Sequence, residues 1–439
     1  MLLGSAVTVI LGLVACGTET EPARSLRPAG DGPVTIAVPA DAPTISAAVA
    51  AARPGDLVLI GPGTYRESVA VTVPGITLRG TTRAGVVIDG EILRANGVIV
   101  TAPDVTVQNL TVRNNTLNGV LVTGMSDETG GLARGSGGYT TLDPAKFPPL
   151  QGFHVDHVTS YNNGLYGIYA FDAQYGLIEN TFTSGMADSG IYVGQCKPCH
   201  TVVRDNVAER NAVGYEGANA GGELYVTGNR LVGNRVGLTT NSDYQEAFIP
   251  QAGATLSGNL IAANNQQDTP QQADGGFGIG VGIAGGTDNL VTRNAILGNT
   301  LAGLVLGSVD DLAPSGNQVT ANAFTDNGVD VAYTASSAAP GTGNCLADNA
   351  LTSTLPAGLD TTLLCPGDTA ATAGSPLGNA GSPPGIPFTD VVAPPAQPEL
   401  PDPTRIPAAW SDDQVPAYTG DLVTVPDAGL LADRSAIRW

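Results

Sequence analysis

The repeat in this chain is plainest in "NVAERNAVGYEGANAGGELYVTGNRLVGNRVGLTT", residues 206–240. Asn206 and Asn211 stand five residues apart, and Asn229 and Asn234 repeat that spacing 23 residues later. Gly214 and Gly237 recur at the same interval. The Asn pair returns as Asn109/Asn114, Asn259/Asn264, Asn294/Asn299 and Asn322/Asn327, with degenerate copies at His157/Asn162 and Asn180/Gly185. A period near 23, with short apolar strands between turn residues, predicts a β-solenoid. Each rung would carry about three short strands, each ~4.8 Å from its copy on the next rung. Asn suits the corners because it tolerates left-handed backbone. Its amide also both donates and accepts, so stacked copies can bond along the axis. Phe182, Ala208, Leu231, Ile261, Ile296 and Phe324 follow the first Asn of each pair by two positions and predict an internal apolar ladder. Thr111 and Thr159 hold that place in the earliest copies, which signals a shift of register there.

Upstream lies "APTISAAVAAARPGDLVLIGPGTYRESVAVTVPGITLRGTTRAGVVIDG". Thr44 is placed to cap a short helix with Ile45, Ala48, Val49 and Ala52 on one side. With "PGDLVLIGPGTYRE" and "ITLRG", this stretch resembles the opening rungs of the pectin-lyase-like right-handed parallel β-helix superfamily. The resemblance runs over residues 34 to 335 or so and implies an all-β solenoid whose N-terminal end is plugged by the helix. It implies no single activity, because that superfamily mixes lyases, hydrolases, esterases, epimerases, adhesins and a copper-related accessory protein of nitrous oxide reductase.

Three stretches break the period: residues 124–150, 241–253 and 265–278. Insertions leave a solenoid at its corners and collect on one face, where they could wall a groove. Residues 366–439 are Pro-rich without the repeat and read as an extended tail, with Trp410 and Trp439 available to dock. At the other end, residues 2–15 are apolar but too short to span a bilayer. They run into Leu13-Val14-Ala15-Cys16, which resembles the bacterial lipobox. The expected division is a signal at 1–16 ending in a lipidated Cys16, a tether at 17–33, the β-helix at 34–365 and the tail at 366–439. An exported protein, held to the cell membrane by Cys16 and facing outward, follows from that reading.

The chain has 439 residues and a net charge of −21 with Lys146 and Lys197 as its lysines. Such a surface excludes nucleic acid as a partner. A monomer is expected.

Eleven of the 22 aromatic residues fall between Tyr161 and Phe248. If Ile168 and Ile191 point inward in "GIYA" and "GIYV", Tyr169 and Tyr192 face outward on adjacent rungs, and Glu216 and Thr239 take that place on the next two. Asp172, Gln195, Asn219 and Ser242 form a second polar file. Exposed tyrosines beside amides and carboxylates suit sugar rings. Tyr169, Tyr192, Gln195, Asn219 and Tyr244 are therefore the expected contacts of a polysaccharide ligand. The alternative is a polysaccharide lyase, epimerase or glycoside hydrolase. Glu216, Asp172 and Asp243 would supply its carboxyls, and Arg204 or Lys197 its base. No polygalacturonase, pectinesterase or alginate-epimerase motif is present to support it. No cofactor is expected; calcium, which lyases of the family hold with carboxylates, is left open. His154 and Asp156 share a strand face and could form an acid–base pair, or His could replace Asn in a ladder. Copper would want more His, Met or Cys than Met125, Met186 and their neighbours supply.

One motif points elsewhere. Cys196-Lys197-Pro198-Cys199-His200 matches the attachment site of a c-type haem. It fills a corner between two strands rather than a pocket, so a haem is disfavoured. Export favours oxidised thiols, giving Cys196–Cys199 as a local disulfide and Cys345–Cys365 as a clip at the end of the solenoid.

Overall fold

The computed structural model describes residues 25–408, apart from 128–131, 136–137, 140–141, 273–274, 368–369, 371 and 379–380, and then 410–417 and 424–426. Cys16 and Trp439 lie outside the described residues. Three sheets of 12, 11 and 10 strands wind around one core, and every rung-to-rung pairing among them is parallel. Sheet A has 12 strands, from Thr35–Val38 to Cys345–Ala347. Sheet B has 10, from Gly63–Tyr65 to Ala323–Thr325, and sheet C has 11, from Val69–Val71 to Thr354–Leu355. The chain visits A, B and C in turn, so it is an all-β, right-handed parallel β-helix. Among the described residues no helix is long and apolar enough to cross a membrane.

The core forms as the alternation of strands requires. Val120, Ile168, Ile191, Tyr215, Leu238 and Val281 are successive partners in sheet C and all join the central apolar cluster. On sheet B the inner file runs Ala208, Leu231, Ile261, Ile296 and Phe324, as expected. Phe182 departs from the expectation. It pairs with Val207, while Thr183 pairs with Ala208, so Phe182 belongs to the outer file with Thr111 and Thr159. The register shift thus extends one copy further than the sequence suggested.

The asparagines form two continuous hydrogen-bond files. Asn206, Asn229, Asn259, Asn294 and Asn322 each donate Nδ2 to the next Oδ1 at 2.9–3.0 Å, the file ending on Asn349. Asn211, Asn234, Asn264 and Asn299 do the same at 3.0–3.1 Å, that file ending on Asn327. A third file, Gln251–Asn289–Asn317–Asn344, was not anticipated. Left-handed backbone falls mostly on the residue before each ladder Asn, such as Asp205, Arg210, Arg293 and Gly233. Only in the early copies do Asn109, Asn114, Asn162 and Asn180 take it themselves.

Where sheet C begins on each rung, glycine is required by contact. A Cβ on Gly214 would lie 2.4 Å from the Gly237 carbonyl, and one on Gly190 2.8 Å from that of Gly214. Both ends are capped. The helix Ile45–Ala51, with Thr44 accepting from the Ala47 amide at 3.1 Å, buries Ile45, Ala48 and Val49 against the first rungs. The short helix Leu359–Thr362 buries Leu359 at the other end.

The described tail packs back along the solenoid. Ile386 bonds Thr269, Asn162 donates to the Val391 carbonyl, Leu400 bonds Asn109, and Arg79 donates to the carbonyls of Pro403 and Arg405. Trp410 is buried and stacks on His154 with ring centroids 4.6 Å apart.

Candidate functional site

All three insertions converge on the outer face of sheet C. Tyr169 and Tyr192 do point away from the core, being partners in sheet C and members of a second apolar cluster with Tyr166, Phe171 and Met125. Their expected exposure is wrong. Tyr169 is 0% and Tyr192 3% exposed, because Met125, Leu132 and Phe147 from the first insertion pack over them. The rings sit edge to face at 5.0 Å, with Tyr166 4.4 Å from Tyr169 and 4.6 Å from Tyr192. Such contacts bury large apolar area beyond what a bare sheet face could cover.

The carboxyls gather at the edge of this cluster. Glu216 follows Tyr192 in register, as expected, and Thr239 follows Glu216. Glu216 accepts from the Ser189 hydroxyl at 2.5 Å and from Asn241 Nδ2 at 3.0 Å. Burial, and then the neighbouring Asp188, push its carboxyl well above the ordinary range. Glu246, from the second insertion, accepts from the Tyr192 hydroxyl. Burial raises it to about 8. Gln272, from the third insertion, donates to Asp188 at 2.8 Å. Asp172 is buried, its Oδ2 finds no hydrogen-bond donor among the described residues, and burial raises it to about 7. At neutral pH Glu216 and Glu246 largely hold their protons, so they act as donors as well as acceptors, and Asp172 is divided between its two forms.

The second polar file exists, but it clamps the insertions rather than facing solvent. Asp172, Gln195 and Asn219 all occupy left-handed corner positions. Gln195 donates to the Met125 sulfur and accepts from the Ala247 amide at 2.9 Å. Asn219 accepts from the Asp243 amide at 2.9 Å and donates to the Glu246 carbonyl at 3.1 Å. Asp243 caps its own turn, accepting from the Gln245 amide at 2.7 Å. Tyr244 is 56% exposed and donates to Asp311. With Phe248, 38% exposed, it gives the second insertion two accessible aromatic rings that the buried tyrosines do not provide. Phe248 carried no periodic signal and was missed.

Arg204 is not part of this face. It lies on sheet A and pairs with Glu179 at 2.6 Å. Lys197 is exposed and reaches only the Pro250 carbonyl at 3.4 Å. No base stands beside Glu216 among these expected residues. Arg204 instead joins His154, Asp156 and Glu179, whose ligand atoms lie within 4.8 Å of one another. His154 Nε2 is 3.0 Å from Glu179, and His157 Nδ1 is 2.5 Å from Asp156. The carboxylates are taken by donors: Arg204 on Glu179, and Asn180 and Gln108 on Asp156.

Cys196–Cys199 and Cys345–Cys365 are both disulfides. The first is less solvent-facing than its corner position implied: Cys196 is 2% and Cys199 0% exposed, both within the central cluster. His200 bonds Glu223 at 2.8 Å and stacks on Tyr175 at 4.5 Å.

A family model described as "Periplasmic copper-binding protein (NosD)" matches residues 149–356, somewhat under half of the chain. Together with the three parallel ladders, that match settles the superfamily. The chain belongs to the pectin-lyase-like right-handed parallel β-helices. No curated protein matches this β-helix chain. Among solved β-helices it is similar to the A-module of the Azotobacter vinelandii mannuronan C-5 epimerase AlgE4, at 15% identity and a TM-score of 0.48, over 67% of this chain and 86% of that one. It is also similar to the pectate lyase Pel9A, at 16% identity and a TM-score of 0.37, over 70% of this chain and 72% of that one.

Proposed function

We propose that this β-helix binds polysaccharide on the face of sheet C framed by its three insertions. The observation that carries the reading is that all three insertions meet over one patch, where the buried carboxyls of Glu216, Glu246 and Asp172 lie beside a tyrosine cluster. Such a concentration of displaced acids against aromatic walls supports a binding or active site over a structural one. Tyr244 and Phe248 supply the ring faces on which a sugar would stack, in place of Tyr169 and Tyr192. Gln195, Asn219 and Asp243 hold the second insertion in position for that contact. Export and anchoring through Cys16 to a cell membrane, with the ligand site outside, belong to the same proposal.

The raised carboxyls also favour a second reading, a glycan-processing enzyme in which Glu216 or Glu246 donates a proton to a glycosidic or ring oxygen. Copper is not supported by the donor set. The four Cys outside the leader are paired with each other. Met125 and Met186 accept from Gln195 and Asn163 in separate networks. The His154 cluster contains a guanidinium, which opposes a cation.

Affinity electrophoresis on acidic and neutral polysaccharides, run beside an ultraviolet assay for unsaturated products with and without calcium, tests both readings. Binding that falls at least tenfold in Tyr244→Ala, without turnover, is the expected result. Turnover abolished by Glu216→Gln would replace binding with catalysis. No binding to any acidic or neutral polymer would overturn both.

A further inference from the structure

On sheet B, away from the insertions, a cavity of about 430 Å³ lies between the solenoid and the returning tail. Its floor is the outer face of sheet B at Phe182, and its roof is Pro395–Pro398. Three basic side chains converge on it, Arg83, His157 and Arg230, in a chain whose net charge is −21. Asp205 is the one carboxylate of its lining and is largely solvent-exposed.

The basic groups are not equally engaged. His157 is held by Asp156 at 2.5 Å. Arg83 is almost fully buried and spends its donors on neutral acceptors: Thr159 at 2.8 Å, the Val158 carbonyl at 2.8 Å and the Pro398 carbonyl at 3.0 Å. Asp156 and Glu399 offset its charge only at a distance. Arg230 is half-buried and forms no ion pair among the described residues. The cavity therefore offers an unsatisfied guanidinium, a buried cation behind it and a rim carboxylate that accepts hydrogen bonds from hydroxyls. Those groups complement a molecule with one carboxylate and several hydroxyls. A volume of this size holds a monosaccharide rather than a chain.

We infer that this cavity is a binding site for a single hexuronate unit. The carboxylate pairs with Arg230, and Asp205 accepts from hydroxyls. The tail closes the site, since its prolines form one wall and Pro398 fixes Arg83. This site is separate from the sheet C face and does not depend on the reading given to that face.

The test is calorimetric titration of the full chain with free glucuronate and galacturonate, with glucose and acetate as controls. Saturable binding of at least one uronate is expected, with glucose and acetate at least tenfold weaker. Arg230→Gln should weaken uronate binding at least tenfold and Arg230→Lys less, with unfolding temperatures unchanged because the side chain faces outward. Tyr244→Ala should leave it unaltered, which separates this site from the sheet C face. Absence of saturable uronate binding, glucose or acetate bound as tightly, or unchanged affinity in Arg230→Gln would each overturn the assignment.

Discussion

Tyr192 and Glu216 are partners on adjacent rungs, and each has its polar end bound by a different element. The Tyr192 hydroxyl goes to Glu246 of an insertion, while Glu216 is held by Ser189 and Asn241 of the solenoid itself. One phenol is thus flanked by two buried carboxyls with no arginine or lysine bonded to either. Burial makes both carboxyls resist ionisation.

The first prediction is a fall in stability with rising pH. Glu246 titrates at about 8 in the folded state, far above the usual ~4.3 of an unfolded chain. The folded state therefore holds this proton more tightly. Its stabilising effect is full below the unfolded value and is lost as pH rises through about 8. At ~1.4 kcal/mol per pH unit, the loss is a few kcal/mol. Thermal unfolding followed by circular dichroism should show the melting temperature decreasing from about pH 5 to about pH 9. Glu246→Gln keeps an acceptor for Tyr192 and should flatten the profile; an unchanged slope would mean that Glu246 is ionised in the native state.

The asparagine files support a second prediction. Asn259 accepts from both the backbone amide and Nδ2 of Asn229, and donates to Asn294 and to the Val226 carbonyl. Asn259→Ala strands several buried groups and should cost about 2–4 kcal/mol in urea unfolding. Asn349→Ala, at the last rung where its partners are nearer solvent, should cost about half as much. Equal losses at the two positions would show that the file has no cooperative interior.

The ladders and the glycine places were legible because each rung repeats one local geometry, so Asn229 and Gly237 recur where their predecessors stand. The third file was legible in principle, since Asn289, Asn317 and Asn344 each precede an Asn of the first file by five residues. Phe182 was misplaced because the register shifts within degenerate copies, where Asn180 no longer marks a ladder position. The burial of Tyr169 and Tyr192 was not legible. Their direction follows from strand alternation, but their cover comes from insertions with no period of their own, through contacts such as Gln195 to Met125. Arg204 is close to Glu216 in sequence, but the eleven intervening residues carry the chain from sheet A through B to C.

A third prediction concerns the start of each sheet C strand. Gly214→Ala places a methyl 2.4 Å from the Gly237 carbonyl and 2.9 Å from Asn234 Nδ2. Neither can yield without opening the rung spacing, so a loss of about 2–3 kcal/mol is expected. Gly32→Ala, which meets nothing within 4 Å, is the control and should be near neutral. Chemical denaturation of the two variants compares them directly, and a tolerated Gly214→Ala would show that neighbouring rungs separate easily there.

The last prediction distinguishes the two disulfides. Cys345 and Cys365 are 20 residues apart, Cys196 and Cys199 only three. By chain entropy the longer loop is worth ~3 kcal/mol and the shorter ~2 kcal/mol. The shorter one has an added packing role, because both its sulfurs lie in the central cluster and Cys199 Sγ accepts from the Gly221 amide at 3.2 Å. Replacing each pair by alanine should therefore give losses of similar size for different reasons. Cys345→Ala/Cys365→Ala acts by lengthening the unfolded chain's reach, and Cys196→Ala/Cys199→Ala by leaving space between rungs. Small apolar ligands would partly restore the second variant and not the first. Free-thiol titration of the denatured, unreduced protein should find none of these four sulfurs. The purified protein should also lack a Soret band, because thiols spent on a disulfide cannot join a haem. A Soret band, or two reactive thiols at Cys196 and Cys199, would return the CKPCH corner to redox chemistry.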